Sequence, residues 1–305
     1  MRRISSRLVQ VAVVVAILAA VAASPAAATK VKVIKNKTFR DFRITAGTHH
    51  RVYDHCTFTG GGSSTAVLEL TSACDHLTFR DCVIESGPWN GISINDRYGN
   101  IHDIEFLRCR IRTQGRMGLE CTSRPVSSTS GYHGIKIERC AFAPQGSEAI
   151  SFDGGTGCVN NAIDRTVVNG AGANPSQQWG AGVEVNGVSR FTFTGNKVYQ
   201  CRTSLLNLQM HSTGDCGWVF TRNTLDASRH VQKVPMQSTA QVVIADSVYG
   251  GVFRCNKVTS AAPGGGVAWW GACFGMDWRG TVWQDARGGS YDDPYQEDGS
   301  AGNRL

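Results

Sequence analysis

Three carboxylates stand in or beside short segments of alternating apolar residues: Glu120 in GLEC (118–121), Asp153 directly after AISF (149–152), and Glu184 in GVEV (182–185). Alternation with a period of two is the mark of a strand, so the middle residue of each segment faces away from the core. Aligning these segments with VLEL (67–70), GISI (91–94) and LLNL (205–208) gives Glu69, Ser93, Glu120, Ser151, Glu184 and Asn207 as the outward set. Two places further on stand Thr71, Asn95, Thr122, Asp153, Asn186 and Gln209. If the segments are neighbouring parallel strands, Glu120 and Glu184 are two strand spacings apart, ~9–10 Å, with Asp153 between them and displaced along the strand. Two carboxylates ~6.5–9.5 Å apart suit an inverting glycoside hydrolysis, one as acid and one as base, with a water between them. Carboxylate and amide oxygens are also Ca²⁺ ligands, so the same cluster could hold that ion against a uronate. The plain alternative is a set of solvated glutamates on a sheet surface. Trp89 and Trp179 precede two of these segments, where an indole face can pack on a sugar ring, or each can fold over its own loop as a lid. Arg116 is level with them and could meet a substrate carboxylate. Outward residues rest on the coils beneath them, so Glu120→Gln and Glu184→Gln are expected to leave folding nearly intact.

What positions these residues is a repeat. One pattern recurs: apolar, any, apolar, two mostly polar residues, a Cys or Asn, any, apolar. It reads LTFRDCVI (77–84), IEFLRCRI (104–111), IKIERCAF (135–142), FTFTGNKV (191–198), WVFTRNTL (218–225) and GVFRCNKV (251–258), with looser copies at 52–58 and 162–168. Its sixth position is Cys56, Cys82, Cys109, Cys140, Thr166, Asn196, Asn223 and Asn256, at intervals of 26 to 33 residues. Each repeat then holds about three short strands and their turns, one coil of a solenoid whose strand neighbours come from adjacent coils. Helical repeats of this length would need i, i+3, i+4 spacing, which no later segment sustains. At ~28 residues per coil, the 277 residues after position 28 make about ten coils.

The sixth position has a physical logic. A small polar side chain inside a bend stacks on its equivalents ~4.8 Å up and down the axis, and an Asn there can bond the next Asn and cap buried bend backbone. The four cysteines continue that column as small buried residues, or pair as disulfides between adjacent coils. Cys201 and Cys216, either side of one strand segment, are the better disulfide candidates. Beside the column stand Arg108, Arg139, Arg165 and Arg222, with Arg110, Lys197 and Lys257 two places on. Like charges one strand spacing apart repel, and Glu138, Asp164 or an anionic polymer laid along the axis would relieve them. The alternative is solvated arginines whose stems cover the bend.

Over about residues 35–280 this pattern resembles the right-handed parallel β-helix of the pectate-lyase-like superfamily, in its generic parallel β-helix repeat form. The resemblance implies an all-β chain, a single-stranded right-handed parallel β-helix, and an extracellular protein that acts on or binds polysaccharides. Segments 30–50 and 268–283 are expected to close its two ends, because open coils expose strand edges and core. The polygalacturonase-type signatures N-T-D, D-D, G-H-G and R-I-K have no match; the nearest strings are SIND (93–96), FDGG (152–155) and IKIERC (135–140). The pectate-lyase signature around the catalytic Arg is absent too. No catalytic residue is therefore carried over from that superfamily, and the site above rests on geometry alone.

Composition agrees. A hydrophobic fraction of 41% is too high for a disordered chain, and the 35 glycines carry no collagen period. Arg2, Arg3 and Arg7, the apolar run Leu8–Ala23 and the small residues Ala26–Ala28 read as a secretory signal peptide over 1–28. The β-helix domain is expected over 29–283 and a polar, Gly-rich tail over 284–305. Losing those three arginines leaves 28 basic residues against 24 acidic ones, a mild excess that allows an acidic partner without demanding one. The expectation is a secreted monomer with a polysaccharide partner, neither nucleic acid nor a membrane span, and Ca²⁺ as the one cofactor the residues could hold. Eleven cysteines with no C-x-x-C pair give no support to zinc-ribbon or thioredoxin readings. Three functions remain open on these grounds: a hydrolase or lyase of an acidic glycan, a non-catalytic glycan-binding module, and a structural surface protein.

Overall fold

The computed structural model describes residues 30–285, apart from 62–65, 72, 97–99, 113–114, 124–130, 156, 174–179, 210–215, 229–242, 247, 261–266 and 271–274. The expected signal peptide, Trp179 and all but the first two residues of the expected tail lie outside the described residues. Every described strand pairs in parallel with strands one coil away, and the pairings close into three sheets of nine, ten and nine strands. This is the parallel β-helix that the repeat implies. Nine coils carry all three strands, and Val282–Asp285 adds one strand of a tenth. The expected count of about ten is slightly high, because it spread coils over all 277 residues after position 28, whereas the described strands run only from Lys32 to Asp285. No helix of the described residues is long and apolar enough to cross a membrane.

The first strand supplies an inward aromatic in six of the nine coils, with Ile34, Ile137 and Ile163 at the same register position in the other three. Tyr53, Phe79 and Phe106 are register partners in three successive coils. Their rings stack at centroid distances of 5.0 Å per step. Phe193, Phe220 and Phe253 repeat the arrangement further along. Isoleucine, valine and leucine fill the column from the other two sheets, as in Ile92, Leu119, Ile150 and Val183, all fully buried. At the far end Trp278 and Trp283 pack on Phe253, with centroids at 4.3 and 6.3 Å, and close the core.

The sixth-position column forms as its chemistry requires. Asn196, Asn223 and Asn256 donate from Nδ2 to the carbonyls of Ile163, Phe193 and Phe220, at 2.9–3.0 Å. Their Oδ1 atoms accept the backbone N–H of the equivalent residue one coil back: Thr166, Asn196 and Asn223. Thr166 continues the pattern by accepting from the Cys140 N–H, and the Cys140 sulfur accepts from the Cys109 N–H at 3.3 Å. Cys56, Cys82, Cys109 and Cys140 are buried free thiols. Cys201 and Cys216 are also buried and are not joined to each other, which overturns the expected disulfide between them. The two lie at different corners of the coil. Cys201 ends a strand of the second sheet beside Gly182, whereas Cys216 precedes a strand of the first sheet and bonds the Gly250 carbonyl.

The residue before each column position turns the chain with a left-handed backbone. His55, Asp81, Arg108, Arg139, Arg165, Arg222 and Cys255 have φ between 47° and 58°, and Gly195 has 67°. This conformation costs a non-glycine residue ~1–2 kcal/mol, and the hydrogen bonds of the column hold it in place.

Candidate functional site

The third sheet carries the carboxylates. Strands Asn90–Asn95, Leu119–Thr122, Ile150–Asp153, Val183–Asn186 and Leu206–Gln209 lie side by side in that order. Register sets Ser93, Glu120, Ser151, Glu184 and Asn207 in one row, and Asn95, Thr122, Asp153, Asn186 and Gln209 in a second. The strands therefore bring Glu120, Asp153 and Glu184 onto three consecutive coils, with Ser151 directly between the two glutamates. Asp153 is exposed.

The glutamates are not simply solvated. Glu120 accepts from Asn90 Nδ2 at 2.5 Å and faces Arg116 Nη1 at 3.7 Å. Asn90 is buried, and its own Oδ1 accepts from the Met117 N–H. Glu184 accepts from Ser151 Oγ at 3.0 Å and from Asn207 Nδ2 at 3.3 Å, and Gln209 orients Asn207 in turn. Burial pushes the Glu184 carboxyl up to about 7, helped by the charges of Glu148 and Asp153. The Ser151 hydrogen bond and the positive charge of Arg116 oppose that rise without cancelling it. An acid poised near neutrality therefore sits two coils from a carboxylate in an ion pair, with one arginine acting on both.

Glu148 was not found by sequence reasoning. It is buried, and Ser147 Oγ donates to its carboxylate. It lies in the turn that enters the Ile150–Asp153 strand, where alternation stops and no periodicity says which way a side chain points. Its signal is chemical: a glutamate in an apolar-flanked turn next to a strand that carries polar outward residues.

The turns before these strands form one edge. Arg116 N–H donates to the Trp89 carbonyl at 2.9 Å, and Ser147 N–H to the Arg116 carbonyl at 2.7 Å, so the three turns stack level with one another. Gly115 makes the stacking possible, since a Cβ there would lie 1.9 Å from the Pro88 carbonyl oxygen. Trp89 is 54% exposed. The other exposed large apolar residues, Val31, Val33 and Val282, belong to the two ends of the described chain, where open strand edges account for them. Trp89 is mid-solenoid and has no such explanation.

Three members of the basic column, Arg108, Arg139 and Arg165, are paired with carboxylates beside them. Arg108 forms a two-pronged pair with Asp81 at 2.8 and 2.7 Å. Arg165 bridges Glu138 and Asp164, and Arg139 lies 3.5 Å from Glu138.

No family model matches the chain, and no curated protein does. Among solved structures the chain is similar to an alginate lyase from Paenibacillus sp. str. FPU-7, at 10% identity and TM-score 0.48, over 92% of this chain and 94% of that one. It is similar also to the pectate lyase Pel9A, at 10% identity and TM-score 0.46, over 81% of this chain and 70% of that one. A glycoside hydrolase is matched at 10% identity and TM-score 0.39, with 82% of this chain covering 50% of that one. The assignment of a parallel β-helix rests on this chain's own strand pairing.

Proposed function

We propose that this chain is a glycan-active β-helix enzyme, an inverting glycoside hydrolase whose cleft runs along the third sheet between Glu120 and Glu184. The observation that carries the reading is the desolvated Glu184 carboxyl, held near 7 two strand spacings from the ion-paired Glu120. A general acid works best when its pKa is near the operating pH. Two spacings, ~9–10 Å, leave room for a sugar and a water. Glu184 gives its proton to the leaving glycosidic oxygen. Glu120 takes a proton from the water that attacks the anomeric carbon from the opposite face. Arg116 and the exposed Trp89 rim the cleft, the first suited to a uronate carboxylate and the second to a sugar face; Trp179 is proposed for the same rim from the sequence. Asp153, displaced along the strand, raises the Glu184 pKa by its charge and so tunes the acid. Secretion through the 1–28 segment belongs to the same proposal, as does an acidic glycan as substrate.

A panel of uronic-acid and neutral polysaccharides tests it, assayed both for new reducing ends and for the ultraviolet absorbance of unsaturated products. New reducing ends without unsaturation, with inverted anomeric configuration in the first product, is the expected result. Unsaturated product would make the protein a lyase. No cleavage of any member, with retained binding on a glycan array, would make it a binding module.

A further inference from the structure

A second cluster of chemistry-bearing side chains lies on another sheet. Five of the chain's eight histidines, His49, His50, His76, His102 and His133, stand on four consecutive coils where the chain enters the first sheet. Register arranges them in two files. His49, Asp75, His102 and His133 are successive partners across the coils. His50, His76 and Asp103 follow them by one residue, each with a left-handed backbone of φ 49–54°. The rings pack on one another, His50 against His76 at 4.5 Å and His102 against His133 at 4.8 Å.

The orientation of two of these rings is specific. His76 Nδ1 bonds Asp75 Oδ1 at 2.8 Å, which turns its Nε2 toward Asp103 Oδ2 at 3.8 Å. His102 presents the opposite edge: Nδ1 meets the same Asp103 Oδ2 at 3.0 Å, and Nε2 lies 3.9 Å from Asp75 Oδ2. Asp75 Oδ1 thus backs the His76 ring, its Oδ2 is bonded to His49 Nδ1 at 2.7 Å, and one nitrogen of His76 and one of His102 converge on one oxygen of Asp103. His76, His102 and Asp103 have donor atoms all within 4.8 Å of one another. Tetrahedral ligands on Zn²⁺ at ~2.0–2.1 Å are ~3.3 Å apart, so closing on an ion needs side-chain shifts of the order of an ångström. A carboxylate behind a ligating imidazole fixes its tautomer and raises its basicity. Two imidazoles and a carboxylate select Zn²⁺ and its transition-metal neighbours over Ca²⁺ or Mg²⁺.

We propose that His76, His102 and Asp103 form a surface site for one divalent transition-metal ion, Zn²⁺ being the probe, with Asp75 orienting the His76 imidazole. The site is on a different sheet from the carboxylate row and needs neither a glycan nor catalysis. Because the His76 ring would serve one ion at a time, one ion per chain is expected.

Equilibrium dialysis and calorimetry of the whole protein with Zn²⁺ near neutral pH test the site, together with the visible spectrum of Co²⁺ as a report of tetrahedral geometry. Wild-type protein should bind one Zn²⁺, gain melting temperature with it, and show no comparable gain with Ca²⁺. His76→Asn, which keeps a residue suited to the left-handed backbone, and His102→Gln should each weaken binding by 10-fold or more. Asp75→Asn should weaken it by ~10–100-fold. His55→Ala, in the separate group of Asp54, His55 and Asp81, should change nothing. No Zn²⁺ uptake by wild-type protein, uptake that survives in the His76→Asn, His102→Gln double variant, or a preference for Ca²⁺ would each overturn the proposal. Melting curves without metal establish that the variants are folded.

Discussion

Glu184 has an energetic signature separable from any activity. Its carboxyl ordinarily titrates near 4.5 and here near 7, with burial as the main cause. Below about pH 4.5 it is protonated in both folded and unfolded chains, so the site costs nothing. As pH rises from 4.5 toward 7 the unfolded chain releases the proton while the folded one keeps it, and stability falls. Above 7 the whole penalty remains, about 3 kcal/mol at 1.36 kcal/mol per unit. Glu184→Gln should therefore raise the urea midpoint at pH 8, match wild type near pH 4, and lose glycan-cleaving activity by ~10²-fold or more. Equal midpoints at pH 8 would mean the carboxyl is not desolvated. The expectation that Glu184→Gln leaves folding nearly intact is therefore narrowed to low pH, because period-2 alternation says which way Glu184 points but not how deeply neighbouring turns bury it. Asp54 works in the opposite sense. The two-pronged hydrogen bond from Arg80 holds its carboxyl well below the usual aspartate range, against the effect of burial. That stability is present above the ordinary aspartate pKa and is lost as pH falls through the lowered one. Arg80→Ala should destabilise at neutral pH, with the difference from wild type shrinking in acid unfolding curves taken below about pH 4.

A turn and a bend column do the positioning, and each can be tested as a unit. Gly115 lets the Arg116 turn lie against the Trp89 turn, so Gly115→Ala must push the two apart. Reduced activity is expected with only a modest loss of stability, because the strands on either side are anchored by their own sheet. A loss confined to stability would separate this turn from the site. In the bend column Asn223 serves four partners: the Asn196 N–H and Nδ2, the Phe193 carbonyl, and Asn256 Oδ1. Asn223→Ala leaves buried groups unpaired, at ~1–3 kcal/mol for each that finds no water. Asn223→Thr should cost less, since Thr166 already occupies an equivalent place with its hydroxyl bonded to the Asp164 carbonyl and the Cys140 N–H. Denaturant midpoints of the two variants decide it, and equal losses would sink the idea that the column works by hydrogen bonding. The column was legible in the sequence because its side-chain types recur at one register position. The left-handed residue just before it was not, because arginine, histidine and aspartate there give no hint of the backbone they adopt.

For the molecule as a whole, the coil was readable from the repeat, since inward aromatics such as Phe79, Phe106, Phe193 and Phe220 recur at one position of it. Glu148 was hidden because turns carry no periodicity, and the histidine files were hidden because they begin strands whose register only the assembled sheet defines. Closure at the C-terminal end depends on Trp278 and Trp283 over Phe253, and Trp278→Ala should expose that end and promote aggregation at protein concentrations where wild type stays monodisperse in light scattering. The buried thiols have a consequence of another kind. Of the ten described cysteines only Cys255 is exposed. Seven of the nine buried ones fall between Cys56 and Cys158, and the remaining two are Cys201 and Cys216. A solenoid opens coil by coil, because each coil rests only on its neighbours. A maleimide pulse followed by peptide mass mapping would then write the order of opening into the chain as a covalent record, early tags at Cys201 and Cys216 marking a molecule that unzips from its C-terminal coils and early tags at Cys56 and Cys74 one that unzips from the other end.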